Sequence, residues 1–254
     1  DAEVQVFSSA GKQVQTYSPA GEVMFSASSN YALIKKVPAL ALIDSLKLKK
    51  TKKNRMPMDE LVIRNLKSGS EWTIDSLKGY RLAEEGEWLA YQRTRKDSSL
   101  VVASLDGKKK YVLPSASVYG FAKEKAALYF VTKDTVKGKP GMYVWRAEAP
   151  QPVLVKEGKG VFVQPAFDKA GNKLAFLYTD NKKEKDYTLS LWISENGGES
   201  RELINRTTAG LPNGWVLSPN QPLNFSDDAS RLFLGTAPAP LQKDTTILAE
   251  NRPN

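Results

Sequence analysis

Ser9 with Lys12, the pair Glu84-Glu85 and the pair Asp227-Asp228 are the side chains whose types and spacing invite chemistry. A Ser-x-x-Lys string can set a lysine base beside a serine nucleophile. Here the string is Ser9-AG-Lys12, a small, polar, glycine-bearing stretch. It reads as a solvent turn, where neither an oxyanion hole nor a dry pocket is expected. Asp227-Asp228 offers oxygen ligands, but a calcium site needs them spaced along a loop. Glu84-Glu85 lies inside Ala83-EEG-Glu87, a stretch with the composition of a turn.

Absences narrow the field further. The 254 residues include no histidine and no cysteine. That removes the Ser-His-Asp triad, an imidazole base and the usual zinc ligand. Disulfides, thiolate nucleophiles and iron–sulfur ligation go with the cysteines. No Gly-x-Ser-x-Gly elbow, P-loop or dinucleotide fingerprint occurs. Carboxylate chemistry and hard-metal sites survive, but no catalytic residue, metal ligand or cofactor is assigned.

The elements around these candidates repeat. Five times an apolar anchor is followed seven residues later by a second anchor that opens a hydrophobic strand. The pairs are Phe25/Ala32, Leu82/Leu89, Phe121/Leu128, Phe167/Leu174 and Phe225/Leu232, and each spans a small polar turn. A constant offset with changing residues is the product of a β-hairpin, because turn length fixes register while side chains fill pockets. Successive copies lie 57, 39, 46 and 58 residues apart, bracketing the period of propeller blades of roughly 40–50 residues. Third strands follow at Leu61-VIRNL, Leu100-VVASL, Met142-YVWRA and Leu189-SLWIS, and fourth strands at Glu71-WTI, Lys110-YVL, Pro152-VLV and Glu202-LI. Four strands per unit, separated by Gly, Pro, Asn and Asp, describe a blade.

The sequence thus predicts an all-β chain, a β-propeller of four-stranded blades in one domain over 1–254. Four blades are complete. Val4-QVF-SSAGK-QVQTY resembles the third and fourth strands of a further blade, and Phe225-SDDASRLFLG-Thr236 resembles a first pair. The two halves either close a five-bladed ring or end an arc of a larger propeller. All five first anchors are expected to be buried, and Trp88, Trp145 and Trp192 to pack within strands.

Insertions are expected at 35–59 and 205–221, and loops on a rigid scaffold are where binding concentrates. The first holds Lys47-LKKTKKN-Arg55, which supplies much of the +9 net charge. Without aromatics for base stacking it reads as a solvated loop and argues against nucleic acid. The second holds Trp215, with Asn213 and Arg206 the candidate contacts for a partner or substrate; in the competing reading Trp215 caps a blade edge. No window approaches the roughly 20 apolar residues of a membrane helix, so no membrane partner is assigned.

Glycoside hydrolysis needs only two carboxylates. On the innermost strands, read as Glu22-VMF, Gly79-YRL, Val118-YGF, Gln164-PAF and Pro222-LNF, Glu22 is the one acid. Asp168, Asp227 and Glu84 belong to turns. The Glu84-Glu85 pair invites comparison with the substrate-holding glutamates of the dipeptidyl peptidase IV group, but its register matches the ordinary turns of the other copies.

Phe167-DKAGNKLAF and Phe225-SDDASRLFLGTAP resemble the Tol-B-type propeller repeats of prolyl oligopeptidase-like serine peptidases. The longer string Gly210-LPNGWVLSPNQPLNFSDDASRLFLGTAPAPLQKDTT is similar to a stretch in large exported Bacteroidetes peptidases of that family. The resemblance runs from about Val23 to Thr246. It implies a propeller of seven or eight blades that caps an α/β-hydrolase domain, admits short or flexible peptide substrates and helps orient them. It also implies export to the periplasm. The hydrolase domain, with its Ser, Asp and His, has no counterpart in this chain, so none of the family's catalytic residues can be carried over. The chain also opens on Asp1 without an initiator Met, as expected of a processed or excised polypeptide. The alternative is a self-contained propeller module, a protein or glycan adaptor. In either case a fluorophosphonate serine-hydrolase probe is expected to leave this polypeptide unlabelled; labelling overturns the non-catalytic reading.

Overall fold

A computed structural model describes residues 2–94, 98–133, 135, 138–181 and 188–240. Its strands form successive antiparallel sheets. A two-stranded sheet comes first, β1 (Val4–Phe7) with β2 (Gln13–Tyr17). The first complete blade is β3 (Ala20–Phe25), β4 (Tyr31–Lys36), β5 (Glu60–Asn65) and β6 (Glu71–Ile74), paired in that order. The next seven strands form one continuous sheet. They are β7 (Leu77–Leu82), β8 (Trp88–Arg93), β9 (Ser99–Ser104), β10 (Lys110–Phe121), β11 (Ala127–Thr132), β12 (Gly141–Arg146) and β13 (Val153–Glu157). Two blades share β10: its first half pairs with β9, its second half with β11, and register shifts separate the halves. The fourth blade is β14 (Val161–Phe167), β15 (Lys173–Thr179), β16 (Ser190–Glu195) and β17 (Arg201–Ile204).

The last strands are β18 (Trp215–Ser218), β19 (Asn224–Phe225), β20 (Leu232–Phe233) and β21 (Gly235–Pro238). β18 pairs with β21 and β19 with β20, so together they are one interrupted hairpin. All five anchor pairs are Cα partners at the hairpin ends, from Phe25 opposite Ala32 to Phe225 opposite Leu232. The fixed offset therefore reports one copied turn.

Blades stack face to face, and each interface has its own apolar cluster. Leu33, Leu61 and Ile63 of the first blade meet Leu89, Tyr91 and Val101 of the second. Trp88, Leu100 and Val102 of the second meet Leu128, Phe130 and Trp145 of the third. Trp145 is fully buried, with its ring centroid 5.3 Å from that of Trp88 and 5.5 Å from that of Tyr111. Between the third and fourth blades, Lys156 lays its ammonium 3.5 Å from the Trp192 ring centroid and 4.4 Å from that of Tyr178. The terminal hairpins cover the two ends: Val4 and Val6 pack on Ala32, Ile34 and Val62, while Leu217 and Leu223 pack on Ala175, Leu177 and Leu191.

A recurrent bond locks each blade. The N–H groups of Leu66, Leu105, Ala147 and Asn196 donate to the carbonyls of Asn30, Glu87, Ala126 and Asn172. Each bond joins a blade's third–fourth turn to its first–second turn, so both kinds of turn share one end of the sheet. At the opposite end lie the second–third connections and the blade-to-blade links, tied by Val37 to Pro19, Thr94 to Ser76 and Gly158 to Pro140.

Four expectations need correction. Phe25 is 61% exposed, whereas Leu82, Phe121, Phe167 and Phe225 pack partly buried against neighbouring clusters. An anchor packs on the blade before it, and the hairpin β1–β2 provides no first and second strands there. The 35–59 insertion is not a plain loop. β4 continues through Lys36, a helix α1 (Leu40–Leu48) follows, and a 3-10 turn covers Lys53–Arg55. The 205–221 insertion ends early, because Trp215–Ser218 is a strand and the fifth inner strand starts at 215, not 222. The period-two reading of the third strands understates their burial: β5 and β9 are buried on both faces, because a blade lies on each side. The tail from Leu241 lies outside the described residues.

Two aromatic truncations separate these environments. Trp145→Ala is expected to lower unfolding free energy by about 3–5 kcal/mol. Phe25→Ala should stay within about 0.5 kcal/mol, as an exposed position does. Urea midpoints at constant slope measure both.

Candidate functional site

The first strand of each blade forms the inner edge of the stack: β7 approaches β10, and β14 approaches β19. Every one of these strands is irregular. Register shifts fall between Ala20 and Glu22, Leu77 and Gly79, Ala116 and Val118, and Val163 and Ala166. A bulge bends its strand and re-aims the side chains beside it. In the fifth hairpin the interruption grows to the segment between Ser218 and Asn224. Gln164, held at φ 49° within its bulge, donates from its side-chain amide to the Pro219 carbonyl and joins two inner edges.

These bulges position a band of polar side chains along the first three blades. The Tyr80 hydroxyl donates to Met24 Sδ at 3.4 Å. Burial, and then the Glu22 carboxylate beside it, push the Tyr80 phenol up to about 12. One blade on, burial also raises the Tyr119 and Tyr129 phenols, and the Arg81 cation partly opposes this at both. Gly120 makes room for the last of them, since a Cβ there would sit 2.7 Å from the Tyr129 hydroxyl oxygen. Met24 and Val118, 36% and 38% exposed, supply apolar surface to the same inner strands. The wall therefore offers phenol donors, one carboxylate, one guanidinium and a thioether. Such a surface can hold a polar, extended ligand. Glycoside hydrolysis would need a second carboxylate beside Glu22, and among the described residues the inner strands bring none.

A groove of about 490 Å³ runs between the first two blades, lined by Tyr31, Trp72, Glu71, Asp106 and Lys108 among others. Its polar groups serve the fold. The Trp72 indole donates to the Leu105 carbonyl at 2.8 Å, and Glu71 accepts from Arg64 and Tyr17. This last trio fastens the β1–β2 hairpin to the first blade.

The three contacts expected from sequence do not form one site. Arg206 lines a groove of about 260 Å³ with Glu202, Asn205 and Thr207, which does not include Trp215 or Asn213. Trp215 opens β18 opposite Pro238 and is 38% exposed, while Asn213 is an exposed loop residue. The candidate acids sit in turns. Asp168 accepts from the Lys173 N–H at 2.8 Å, and Asp227 pairs with Lys169 at 2.8 Å. Asp228 is held down at about 2 by the Ser226 and Ser230 hydroxyls and the Ser230 N–H. Among the described residues no His, Cys, Asp and Glu cluster suited to a metal ion occurs. The tyrosines of this wall carry no chemical motif in the sequence; the available signal is position, with Tyr80 and Tyr119 two residues before the anchors Leu82 and Phe121 and Tyr129 just after the anchor Leu128.

No family model matches the chain, and no curated protein matches it either. Its fold is propeller-like, as are its structural neighbours. An oligogalacturonate lyase in complex with manganese superposes with a TM-score of 0.50 at 13% identity, over 84% of this chain and 61% of the lyase. One of two prolyl endopeptidases analysed for inter-domain dynamics gives 0.47 at 11% identity, over 78% of this chain and 32% of the endopeptidase. TolB from Acinetobacter baumannii gives 0.41 at 13% identity, over 89% of this chain and 57% of TolB. The chain thus spans less than two thirds of each, and at such identities the likeness concerns the fold alone.

The inner wall has a spectroscopic signature. Phenolate absorbance should show two tyrosines titrating near pH 12, Tyr80 and Tyr178, and the Tyr80→Phe difference spectrum should lose one of them. Glu22→Gln should move that step down, while burial keeps it above the ordinary value of about 10. Because the folded state holds this proton more tightly, its contribution to stability is complete below about pH 10 and is lost as pH rises towards 12.

Proposed function

We propose that the chain is a non-catalytic propeller segment of a prolyl oligopeptidase-like serine peptidase. In this reading it gates and orients peptide substrates for an α/β-hydrolase domain carried outside this chain. Phe25 carries the proposal. It is the one first anchor left 61% exposed, on the side where a preceding blade's first strand pair would cover it. The family-like strings Phe167-DKAGNKLAF and Phe225-SDDASRLFLGTAP agree with that reading. So does an inner wall of Tyr80, Arg81 and Tyr119, which suits hydrogen bonding to an extended peptide and contributes no nucleophile of its own. Export to the periplasm belongs to the same proposal. Among the described residues no helix is long and apolar enough to cross a membrane.

A second reading keeps support from the complementary halves. β1–β2 serves as a third and fourth strand, and β18–β21 as a first and second, so their union would close a five-bladed adaptor ring. The two hairpins belong to separate sheets, however. Spin labels at Phe7→Cys and Phe233→Cys, both exposed positions, distinguish the readings. Adjacent strands lie about 5 Å apart, so a closed ring puts the labels within roughly 15 Å of each other. The arc reading expects more than about 20 Å, well beyond that strand spacing. A short distance overturns the peptidase segment in favour of the ring.

A further inference from the structure

Helix α1 breaks the rule that apolar surface is buried. Its sequence is LALIDSLKL, and none of its nine residues is buried. Leu40 is 64% exposed, Leu42 48% and Leu48 85%. At about 100° per residue, Leu40 and Leu42 point to nearly opposite sides of the helix, with Ile43, Leu46 and Leu48 between and beyond them. A helix apolar around most of its circumference belongs in an apolar surround.

The charge around α1 suggests what that surround is. Lys47, Lys49, Lys50, Lys52, Lys53 and Arg55 are all exposed, and Asp44 is the only acid among them, 3.7 Å from Lys47. This segment dominates the end of the sheets that carries the second–third connections and the blade links. Among described residues, those segments hold ten Lys or Arg against four Asp or Glu. The turns at the opposite end hold eight against ten. Outside 44–55 that end is near balance, with four Lys or Arg against three Asp among the described residues, and the exposed Trp215 opens its strand there. Six exposed cations directly beside exposed leucines match an anionic lipid surface, which offers headgroup charge and acyl chains together.

We propose that this end of the molecule is a peripheral binding face for anionic lipid bilayers. α1 lies in the headgroup region with its leucines among the acyl chains, and the Lys47–Arg55 segment contacts the charged headgroups. At nine residues the helix is about 14 Å long, too short to span a bilayer and long enough to lie in its surface. The proposal goes beyond the peptidase reading and is independent of it.

Co-sedimentation of the purified chain with vesicles tests this. Equimolar phosphatidylglycerol and phosphatidylcholine should pull the chain down at about 0.05 M salt, and phosphatidylcholine alone should not. Binding should weaken strongly at 0.5 M salt, where screening shortens the reach of each charge. Lys49→Glu with Lys50→Glu should lower the partition coefficient by at least roughly thirtyfold, taking about 1 kcal/mol per cation. Leu42→Ser with Leu48→Ser should lower it at least tenfold, with the circular dichroism spectrum and thermal midpoint unchanged. Absence of binding to the anionic vesicles overturns the proposal. Binding that ignores the leucine pair overturns it too, in favour of simple adsorption of charge. A concentration-dependent dimer abolished by the leucine pair overturns it in favour of a second copy as the occupant.

Discussion

A four-stranded antiparallel sheet with two apolar faces has no stable existence alone, and the rest of this structure follows from that constraint. The middle strands β4, β5, β8, β9, β15 and β16 bury nearly every residue. Each sheet is therefore compelled to take a sheet on either side. The result is a chain of nearest-neighbour interfaces, in the manner of repeat proteins, with no single shared centre. Trp145 and Phe130 fill one such interface and Phe176 another. Where the series lacks a neighbouring strand pair, apolar surface stays uncovered, and Phe25 marks the place.

Stacking fixes more than the core. It turns the inner strands towards one another, and their bulges then determine which side chains line that edge. Tyr80, Tyr119 and Tyr129 are brought near Glu22 and Arg81 although these residues come from three blades. The recurrent bond from Leu66, Leu105, Ala147 and Asn196 keeps the short turns together at one end. The longer connections are thereby gathered at the other, where insertion costs the core nothing. The uneven net charge of the two ends follows from this separation, since the one long lysine-rich insertion, 47–55, falls among the longer connections.

Much of this was legible from residue spacing. The offset from Phe25 to Ala32 and its four copies gave the hairpin register, because turn length is a local property encoded within a dozen residues. Trp88, Trp145 and Trp192 read as packing residues because each sits on a strand pattern. Three features were less accessible. Lys47-LKKTKKN-Arg55 reads as a loop, yet its first residues complete α1, whose apolar half lies upstream in Leu40-ALI. Trp215 reads as part of an insertion because it lies well before the anchor Phe225, and only pairing across to Pro238 reveals its strand. The tyrosines of the inner wall carry no motif, since their grouping is made between blades.

By itself the sequence determined the strand units, their register, the all-β class and the absence of histidine and thiol chemistry, all of which depend on residue identity and short-range spacing. The tertiary structure alone decided which anchors are covered, which side chains meet along the inner edge, and that the connections at one end carry a net positive charge while the turns at the other do not. Those outcomes depend on contacts between residues far apart in sequence, such as Tyr129 and Phe167 or Tyr80 and Met24. Each blade's environment is supplied by its neighbours, and no local pattern encodes what a neighbour leaves bare.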